Sequence, residues 1–256
     1  MKFGKLPARI DRRTIKLASI LRKVLPPIPA EWDVDAQFPF QIPYRMFRNG
    51  GKNAVGDCVE VAKYNQMLRF EANEQKLVVA VKDSDVVNKY IGESDGQDIG
   101  LEMLSSENDW RQNGIPVGSR KIACIKFGGQ LYYIYAFSSI ETGNPDELKA
   151  CVYLLNGSQV GLQIPQSAID AWNNGRQRWD DVGDTNLIGG HAVACKAYNE
   201  IGPRYLTWGE EIQATWAFHK RYNDEGYGAV DKRDLWVPDS VVDEEKLNGI
   251  LKEITA

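Results

Sequence analysis

Apolar residues recur at helical spacing in the first half of the chain and alternate along short segments in the second half. The helical patterns cover about 57–70, 83–91 and 98–113. In the first of them, Val61, Tyr64 and Leu68 share one face, and Asp57 is the predicted N-cap. Gly114 follows the third pattern and is a typical helix stop.

Strand-like patterns dominate the second half. The predicted strands are 121–127, 131–136, 159–164, 191–197, 205–208 and 227–231. Gly128-Gly129 lies between the first two and predicts a tight hairpin, and one further helix is predicted from Asn144 to about Leu155. Helices followed by antiparallel strands indicate an α+β fold rather than repeated βαβ units.

The N-terminal 31 residues have a composition of their own. Residues 1–25 contain eight basic groups and one acidic group, Asp11. The run Leu25-Pro26-Pro27-Ile28-Pro29 is predicted to be extended, because proline cannot continue a helix and restricts the residue before it. We interpret the arm as a tether that is either a solvated surface or a docking element for an acidic protein partner. Nucleic acid is disfavoured as a partner, because Phe3 is the only aromatic residue among these charges.

The length of the chain allows one large domain or two lobes. It has 256 residues, of which 43% are hydrophobic. We divide it into the arm (1–31), a main domain (32–240) with lobes at about 45–118 and 119–240, and a C-terminal tail (241–256). The net charge of −4 argues against a polyanion that would bind the whole chain.

Several classes of protein are excluded by the sequence pattern. No stretch approaches 18 apolar residues, so no membrane span is expected. The N-terminus lacks the apolar run of a signal peptide, so we expect synthesis in the cytoplasm. The four cysteines have no CxxC spacing and there are two histidines, so we expect neither a zinc site nor another cofactor. Cys124, Cys151 and Cys195 lie in apolar runs and are predicted to be buried thiols.

Cys58 and His191 are the candidate reactive pair. Cys58 opens the first predicted helix, where unpaired backbone N–H groups favour a thiolate. His191 follows Gly189-Gly190, which would let a substrate backbone approach closely. If the two side chains meet, His191 would act as general base and then protonate the leaving amine. The structural alternative is a small buried cysteine and a hydrogen-bonded histidine within a strand.

The second histidine has a structural interpretation. His219 is predicted on the polar side of a helix, outside any site. The aromatic residues near it are predicted to pack together rather than to form a ligand cage, and they are Trp208, Trp216, Phe218 and Tyr222.

Four segments, in order along the chain, resemble the papain superfamily of cysteine peptidases. They are Gly56-Asp57-Cys58, the helix-to-strand segment 146–164, Gly190-His191-Ala192-Val193 and Thr207-Trp208-Gly209. The resemblance covers about residues 50–235 and implies a papain-like two-lobed fold, with a helical lobe that contains the cysteine helix and an antiparallel β lobe. The arm and the Thr207–Glu210 run are similar to papain-like proteins of tailed phages and prophages, which allows a virion-associated context and synthesis in host cytoplasm.

Two positions depart from the family pattern. The asparagine that orients the family's histidine would fall at Leu206, and the glutamine of its oxyanion hole would fall at Lys52. Lys52 or the neighbouring Asn53, together with the Cys58 backbone N–H, could stabilise an oxyanion instead. Loss of the orienting group would leave the imidazole free to adopt the wrong tautomer.

These observations give two main function hypotheses. One is an active cysteine peptidase, or isopeptide or amide hydrolase, that uses Cys58 and His191 on a peptide-like substrate. The other, which the two departures favour, is a structural or binding module of a phage particle with a degenerate site, whose arm binds other virion subunits. A transglutaminase-like or amidase-like acyl transferase would use the same Cys–His chemistry.

Overall fold

A central β-sheet separates two clusters of buried apolar side chains. The computed structural model describes residues 2–75, 80–117, 121–122, 125–126, 130–176, 178–231 and 241–255. Val193 and Cys195 belong to one cluster, whereas Ala192 and Ala194 belong to the other. This division follows from strand geometry, because successive side chains point to opposite faces of a sheet.

The described helices supply half of the buried residues of one cluster. Those described are α1 (Leu17–Ile20), α2 (Cys58–Gln75), α3 (Asp83–Glu93), α4 (Met103–Asn113), α5 (Pro145–Leu154), α6 (Gln166–Asn173), α7 (Trp216–Tyr222) and α8 (Glu244–Thr255). A 3₁₀ turn covers Asp35–Gln37. Tyr64, Met67 and Trp110 from α2 and α4 are fully buried together and form the centre of the helical lobe.

The described strands form one large sheet and two small ones. They are β1 (Trp32–Asp33), β2 (Ile115–Val117), β3 (Lys121–Ile122), β4 (Ile125–Lys126), β5 (Gln130–Tyr132), β6 (Ala136–Ser139), β7 (Ser158–Pro165), β8 (Arg178–Trp179), β9 (Leu187–Tyr198), β10 (Pro203–Thr207), β11 (Glu210–Ala214) and β12 (Asn223–Val230). The large sheet has the order β6-β12-β7-β9-β10-β11-β8, and β1 also pairs with β9. Its neighbours are antiparallel except β8 and β11, which are parallel.

The α+β class predicted from the sequence is confirmed, and so are several individual elements. The predicted cysteine helix is α2, which continues to Gln75, beyond the predicted end. Asn144 caps α5 as predicted, because its side-chain oxygen accepts hydrogen bonds from the Asp146 and Glu147 amides at 3.0 and 3.3 Å. Gly114 ends α4 with a φ of +70°.

Other predicted elements are wrong in their bounds. Residues 121–127 were predicted to form one strand, but β3 and β4 pair with each other. The predicted hairpin at Gly128-Gly129 and the predicted buried thiol of Cys124 lie outside the described residues. The helices α6 and α8 and the strand β11 were not predicted. The short strand β11 is defined by its pairing with β10, and a local pattern does not report such tertiary pairing.

The N-terminal arm packs against the β lobe. Ile15, Leu17 and Ile20 are buried in the same cluster as the sheet residue Val193. The Tyr198 hydroxyl donates a hydrogen bond to the Pro29 carbonyl at 3.1 Å. The arm therefore packs on the surface of the β lobe. The domain boundary at residue 31 stays a prediction.

Candidate active site

The start of α2 places Cys58 at a fixed point in the interior. The thiol is 1% exposed. The Gly56 amide, two residues earlier, donates to Asp98 Oδ1 at 2.8 Å, and the Asp57 carbonyl accepts the first helical hydrogen bond from Val61 at 2.9 Å. Asp57 therefore lies at the N-cap position, as predicted, although its buried carboxyl oxygens make no hydrogen bond to a helix amide.

The strand β9 holds His191 opposite Leu162 of β7. The imidazole is 1% exposed and its Nε2 is 2.7 Å from Thr207 Oγ1. Its ring stacks on Trp208 with centroids 4.7 Å apart and an interplanar angle of 19°. Its Nδ1 has no hydrogen-bond partner among the described residues. The ring is thus fixed by one hydrogen bond and one stacked face, with one nitrogen left unused.

Cys58 and the histidine strand meet in the interior. The Ala192 amide donates a hydrogen bond to the Cys58 Sγ at 3.5 Å. Ala192 follows His191 directly, so the thiol lies against the backbone of the histidine's neighbour. The structure therefore brings the two predicted elements together. Reaction between the two side chains stays a prediction.

Burial keeps both groups neutral in this conformation. It raises the pKa of the Cys58 thiol to about 11, although the amides of Ala192 and Gly4 act in the opposite direction. It also lowers the pKa of His191 to about 3. Burial raises the pKa of the neighbouring Asp57 to about 7. The favourable position at the helix start does not overcome the loss of water around the sulfur.

Thr207 occupies the orienting role that the sequence analysis missed. Leu206 is packed in the helical-lobe cluster, as expected for a residue without a polar side chain. The next side chain of β10 bonds to His191, so the inferred loss of an orienting group is wrong. Two features of the sequence could have predicted this contact. Side chains alternate along a strand, so the residue after Leu206 points to the opposite face, and that residue carries a hydroxyl group. Trp208 packs against Trp172 and Trp179, in agreement with its predicted packing role, and it also stacks on the His191 ring.

The two predicted oxyanion residues lie on an exposed turn. Lys52 and Asn53 are both exposed, and the Asn53 carbonyl accepts a hydrogen bond from Arg48 at 2.9 Å. The buried amide in this loop is Asn49, whose Nδ2 donates to the carbonyls of Lys2 and Val55 at 3.1 and 3.3 Å. The oxyanion role of Lys52 or Asn53 stays a prediction.

The groove beside Cys58 is filled by the chain's own N-terminus. We call residues 2–6 the groove segment. The Lys5 amide donates to the Gly190 carbonyl of β9 at 3.1 Å. On the other side, the Leu101 amide donates to the Gly4 carbonyl at 2.8 Å and the Leu6 amide donates to the Leu101 carbonyl at 2.9 Å. The segment is thus hydrogen-bonded on both sides, with an isolated parallel β-bridge between Lys5 and Leu101. A Cβ on Gly190 would overlap the Lys5 carbonyl oxygen, so this glycine admits the backbone of the segment, and the predicted approach of a substrate stays a prediction.

Side chains of the groove segment cover the site. The Phe3 ring contacts His191 edge-on, with centroids 5.8 Å apart. Lys2 pairs with Asp98, the residue that also accepts from the Gly56 amide. Lys5 is fully buried in ion pairs with two carboxylates. Access of any molecule to Cys58 therefore requires the groove segment to move.

The remaining polar candidates are structural. His219 is buried, not on a polar surface as predicted, and its Nδ1 is 2.8 Å from the Tyr205 hydroxyl. Burial lowers the pKa of His219 to about 4. Cys151 and Cys195 are fully buried, as predicted.

Within the described ranges, no group of three or more His, Cys, Asp or Glu residues is arranged to hold a metal ion. No helix in the same part of the chain has the length and apolar character needed to cross a membrane.

Comparison with solved structures identifies the fold. Xylellain, a cysteine protease from Xylella fastidiosa, is similar with a TM-score of 0.66 and 17% identity, over 90% of this chain and 96% of that one. Procathepsin B S9 from Trypanosoma congolense has a TM-score of 0.61 and 11% identity, over 89% and 85% of the two chains. A Carica candamarcensis cysteine protease in complex with E-64 has a TM-score of 0.58 and 12% identity, over 80% of this chain and 99% of that one.

Comparison of the sequence alone does not detect the similarity to these proteins. No protein-family model and no curated protein sequence matches the chain. Identities this low establish the architecture and leave the activity open. The chain has the two-lobed fold of the papain-like cysteine proteases, in agreement with the resemblance seen in its sequence.

Proposed function

We propose that this chain is a papain-fold thiol hydrolase of peptide or other amide bonds, with Cys58 as nucleophile and His191 as general base. The observation that carries the proposal is the state of the imidazole. Nε2 bonds to Thr207 Oγ1 at 2.7 Å, and Nδ1 has no partner among the described residues. An Nε2–H donated to the hydroxyl leaves a lone pair on Nδ1, which is what a general base needs.

The proposed reaction has two halves. In the first, the Cys58 proton passes to Nδ1, the sulfur attacks the carbonyl carbon, and the oxyanion is stabilised by the Cys58 backbone N–H with Lys52 or Asn53. The C–N bond then breaks, and the amine leaves with the proton from the imidazolium. In the second, water gives a proton to Nδ1 and its oxygen attacks the thioester. The C–S bond breaks, and the sulfur regains the proton. The sum is an amide and water converted to a carboxylic acid and an amine.

The groove segment explains why the resting pair is neutral. Burial dominates the raised pKa of Cys58 and the lowered pKa of His191. Displacement of residues 2–6 would admit water to the thiol and the imidazole. The helix N-terminus and a protonated imidazole would then favour the thiolate. We therefore expect activity from an open form, not from the form in which the groove is filled.

The test uses a substitution that should empty the groove. A Cβ on Gly4 would overlap the Gly56 carbonyl oxygen, so Gly4→Ala should expel the segment. In full-length Gly4→Ala, iodoacetamide at neutral pH should modify Cys58 about tenfold faster than the buried Cys195, as read by peptide mass spectrometry. Adding His191→Ala should slow that labelling about tenfold. The same variants are assayed for release of a fluorophore from short peptide amides.

Two results would remove the proposal. Equal and slow labelling of Cys58 and Cys195 in Gly4→Ala would mean that the thiol is not activated. Fast labelling that does not depend on His191 would mean that the imidazole is not its base. Gly92→Ala is the matched control, because a Cβ at this exposed helical position meets no atom within 4 Å.

A second candidate function is a binding or structural module. The filled groove favours this binding role, because a groove that is occupied by residues 2–6 of the same chain can hold a peptide without hydrolysing it. In the phage context that the sequence resemblance allows, the groove segment would be the element exchanged with a virion partner. Stable occupation of the groove by a partner peptide, with no cleavage in Gly4→Ala, would favour this candidate over the hydrolase.

A further inference from the structure

The ammonium of Lys5 is bound as if it were a ligand of the β lobe. Its side chain is fully buried, and Nζ lies 2.9 Å from Asp224 Oδ2 and 2.8 Å from Glu225 Oε1. Nζ donates hydrogen bonds to Asp224 Oδ2 and to the Leu6 carbonyl, the latter at 3.1 Å, and its contact with Glu225 is an ion pair. Two of the three N–H donors of the ammonium are therefore used in hydrogen bonds, and two carboxylates lie beside its charge. The site matches the binding capacity of a lysine side chain.

The two carboxylates are held in place by the β lobe. Gln163 Nε2 donates to Asp224 Oδ2 at 2.6 Å, and the Tyr227 hydroxyl donates to Glu225 Oε2 at 3.0 Å. Glu225 is itself buried. A buried carboxylate without a cation is costly, and a cation placed there is strongly favoured. The acidic pair is therefore preorganised before a lysine arrives.

A missing side chain makes room for the lysine stem. Gly161 of β7 lies opposite Glu225 of β12. A Cβ on Gly161 would overlap the Lys5 Cε and would lie 2.7 Å from the Glu225 Cγ. The glycine thus forms the floor of a channel that runs from the Gly190 backbone to the acidic pair. Any side chain at position 161 would close it.

We propose that Asp224, Glu225 and Gly161 form a subsite for a lysine side chain, so that the peptides taken by the groove carry a lysine whose own amide bonds to Gly190 and whose two neighbours bond to Leu101. Lys5 occupies this subsite in the resting chain as a self-ligand. The inference names a substrate class for the site of the proposed hydrolase and rests on that function only for turnover. Binding of a peptide to the subsite can be measured without turnover.

The experiment measures peptide binding in full-length protein with an emptied groove. The background variant carries three substitutions. Gly4→Ala removes the fit of the self-ligand in the groove, and Lys5→Met removes its ammonium. Cys58→Ser prevents cleavage. The probe is a fluorescent peptide with the sequence of residues 2–7, compared by anisotropy with the same peptide carrying norleucine in place of the Lys5 counterpart. Circular dichroism confirms that the variant is folded.

The lysine peptide should bind about tenfold or more tightly than the norleucine peptide, because norleucine leaves two carboxylates unpaired. Glu225→Gln should reduce that ratio to about threefold or less, and Gly161→Ala should abolish binding of the lysine peptide. Glu200→Gln, at an exposed position, is the charge control and should leave the ratio unchanged. Equal affinity for the two peptides overturns the proposal, and so does absence of binding by the folded variant.

A measurement on the otherwise wild-type chain keeps the proposal falsifiable if the combined variant does not fold. Lys5→Met and Glu225→Gln should each raise hydrogen exchange at the Lys5-position and Leu6 amides about tenfold. No change in either variant overturns the lysine subsite. Because neither readout needs turnover, a failure of hydrolysis and a failure of the subsite are separate results.

Discussion

Thr207 Oγ1 lies 2.7 Å from His191 Nε2, and it is the only described hydrogen-bond partner of that imidazole. The threonine follows Leu206, the position at which the family resemblance places an asparagine. A hydroxyl both donates and accepts, whereas the asparagine oxygen only accepts. The Thr207 contact therefore fixes the ring orientation and leaves the tautomer to the environment of Nδ1.

We predict that Thr207→Val changes the orientation of the His191 ring and the environment of its nitrogens. The substitution keeps the shape of the side chain and removes the hydroxyl, so the buried Nε2 loses its partner at a cost of about 1–3 kcal/mol. The ring nitrogens should show altered ¹⁵N chemical shifts in protein labelled at histidine. Thr207→Ser should restore the wild-type shifts. Identical spectra for the valine variant and wild type would contradict the orienting role.

We predict that Gly4→Ala releases the groove segment as a unit. The Lys5 and Leu6 amides are hydrogen-bonded to Gly190 and Leu101 in the resting structure, so they should exchange slowly with solvent. Gly4→Ala should raise their hydrogen-exchange rates about tenfold or more, since the new Cβ would overlap the Gly56 carbonyl. Gly92→Ala should leave both rates unchanged. Protection that survives in Gly4→Ala would show that the segment tolerates the methyl group.

We predict that stability falls on the acid side partly because of His219. Burial lowers its pKa from 6.5 to about 4, so the unfolded chain takes up the proton first. Stability from this group is complete above pH about 6.5 and is lost as the pH falls toward 4, by roughly 2 kcal/mol at pH 5. Urea unfolding at pH 8 and pH 5 should therefore show a smaller pH-dependent loss in His219→Gln than in wild type. An equal loss in both would rule out this histidine as a source.

We predict that Lys63→Met strongly destabilises the helical lobe. Lys63 is fully buried and pairs with Glu60 and with Glu93, the latter at 3.1 Å. Loss of the ammonium leaves the buried Glu60 carboxylate without its cation, which typically costs about 3–5 kcal/mol, whereas Glu93 keeps its ion pair with Lys89. The free energy of unfolding from urea titration measures the effect. Lys220→Met, at an exposed helical position, should change it by less than about 0.5 kcal/mol. A small effect of Lys63→Met would mean that the carboxylates are neutral in the folded protein.

The local sequence pattern predicted the structure correctly where neighbouring residues alone define a helix or a strand. The spacing of Val61, Tyr64 and Leu68 placed α2, and Asn144 placed the start of α5. The order of the Cys58 and His191 segments also indicated the fold class. Predictions failed where an element is held by distant partners, as in β3 and β4, or where a polar residue is buried by tertiary packing, as in His219.

The sequence by itself determined the α+β order, the helix that begins at Cys58 and the strand that carries His191, because helical and alternating periodicities are properties of neighbouring residues. Only the tertiary structure decided that Thr207 supports the imidazole and that residues 2–6 fill the groove. It also decided that Lys5 reaches Asp224 and Glu225, more than two hundred positions away along the chain. Such contacts depend on how the sheet and the lobes pack, and no local pattern records the free energy of burying a charge beside a distant partner.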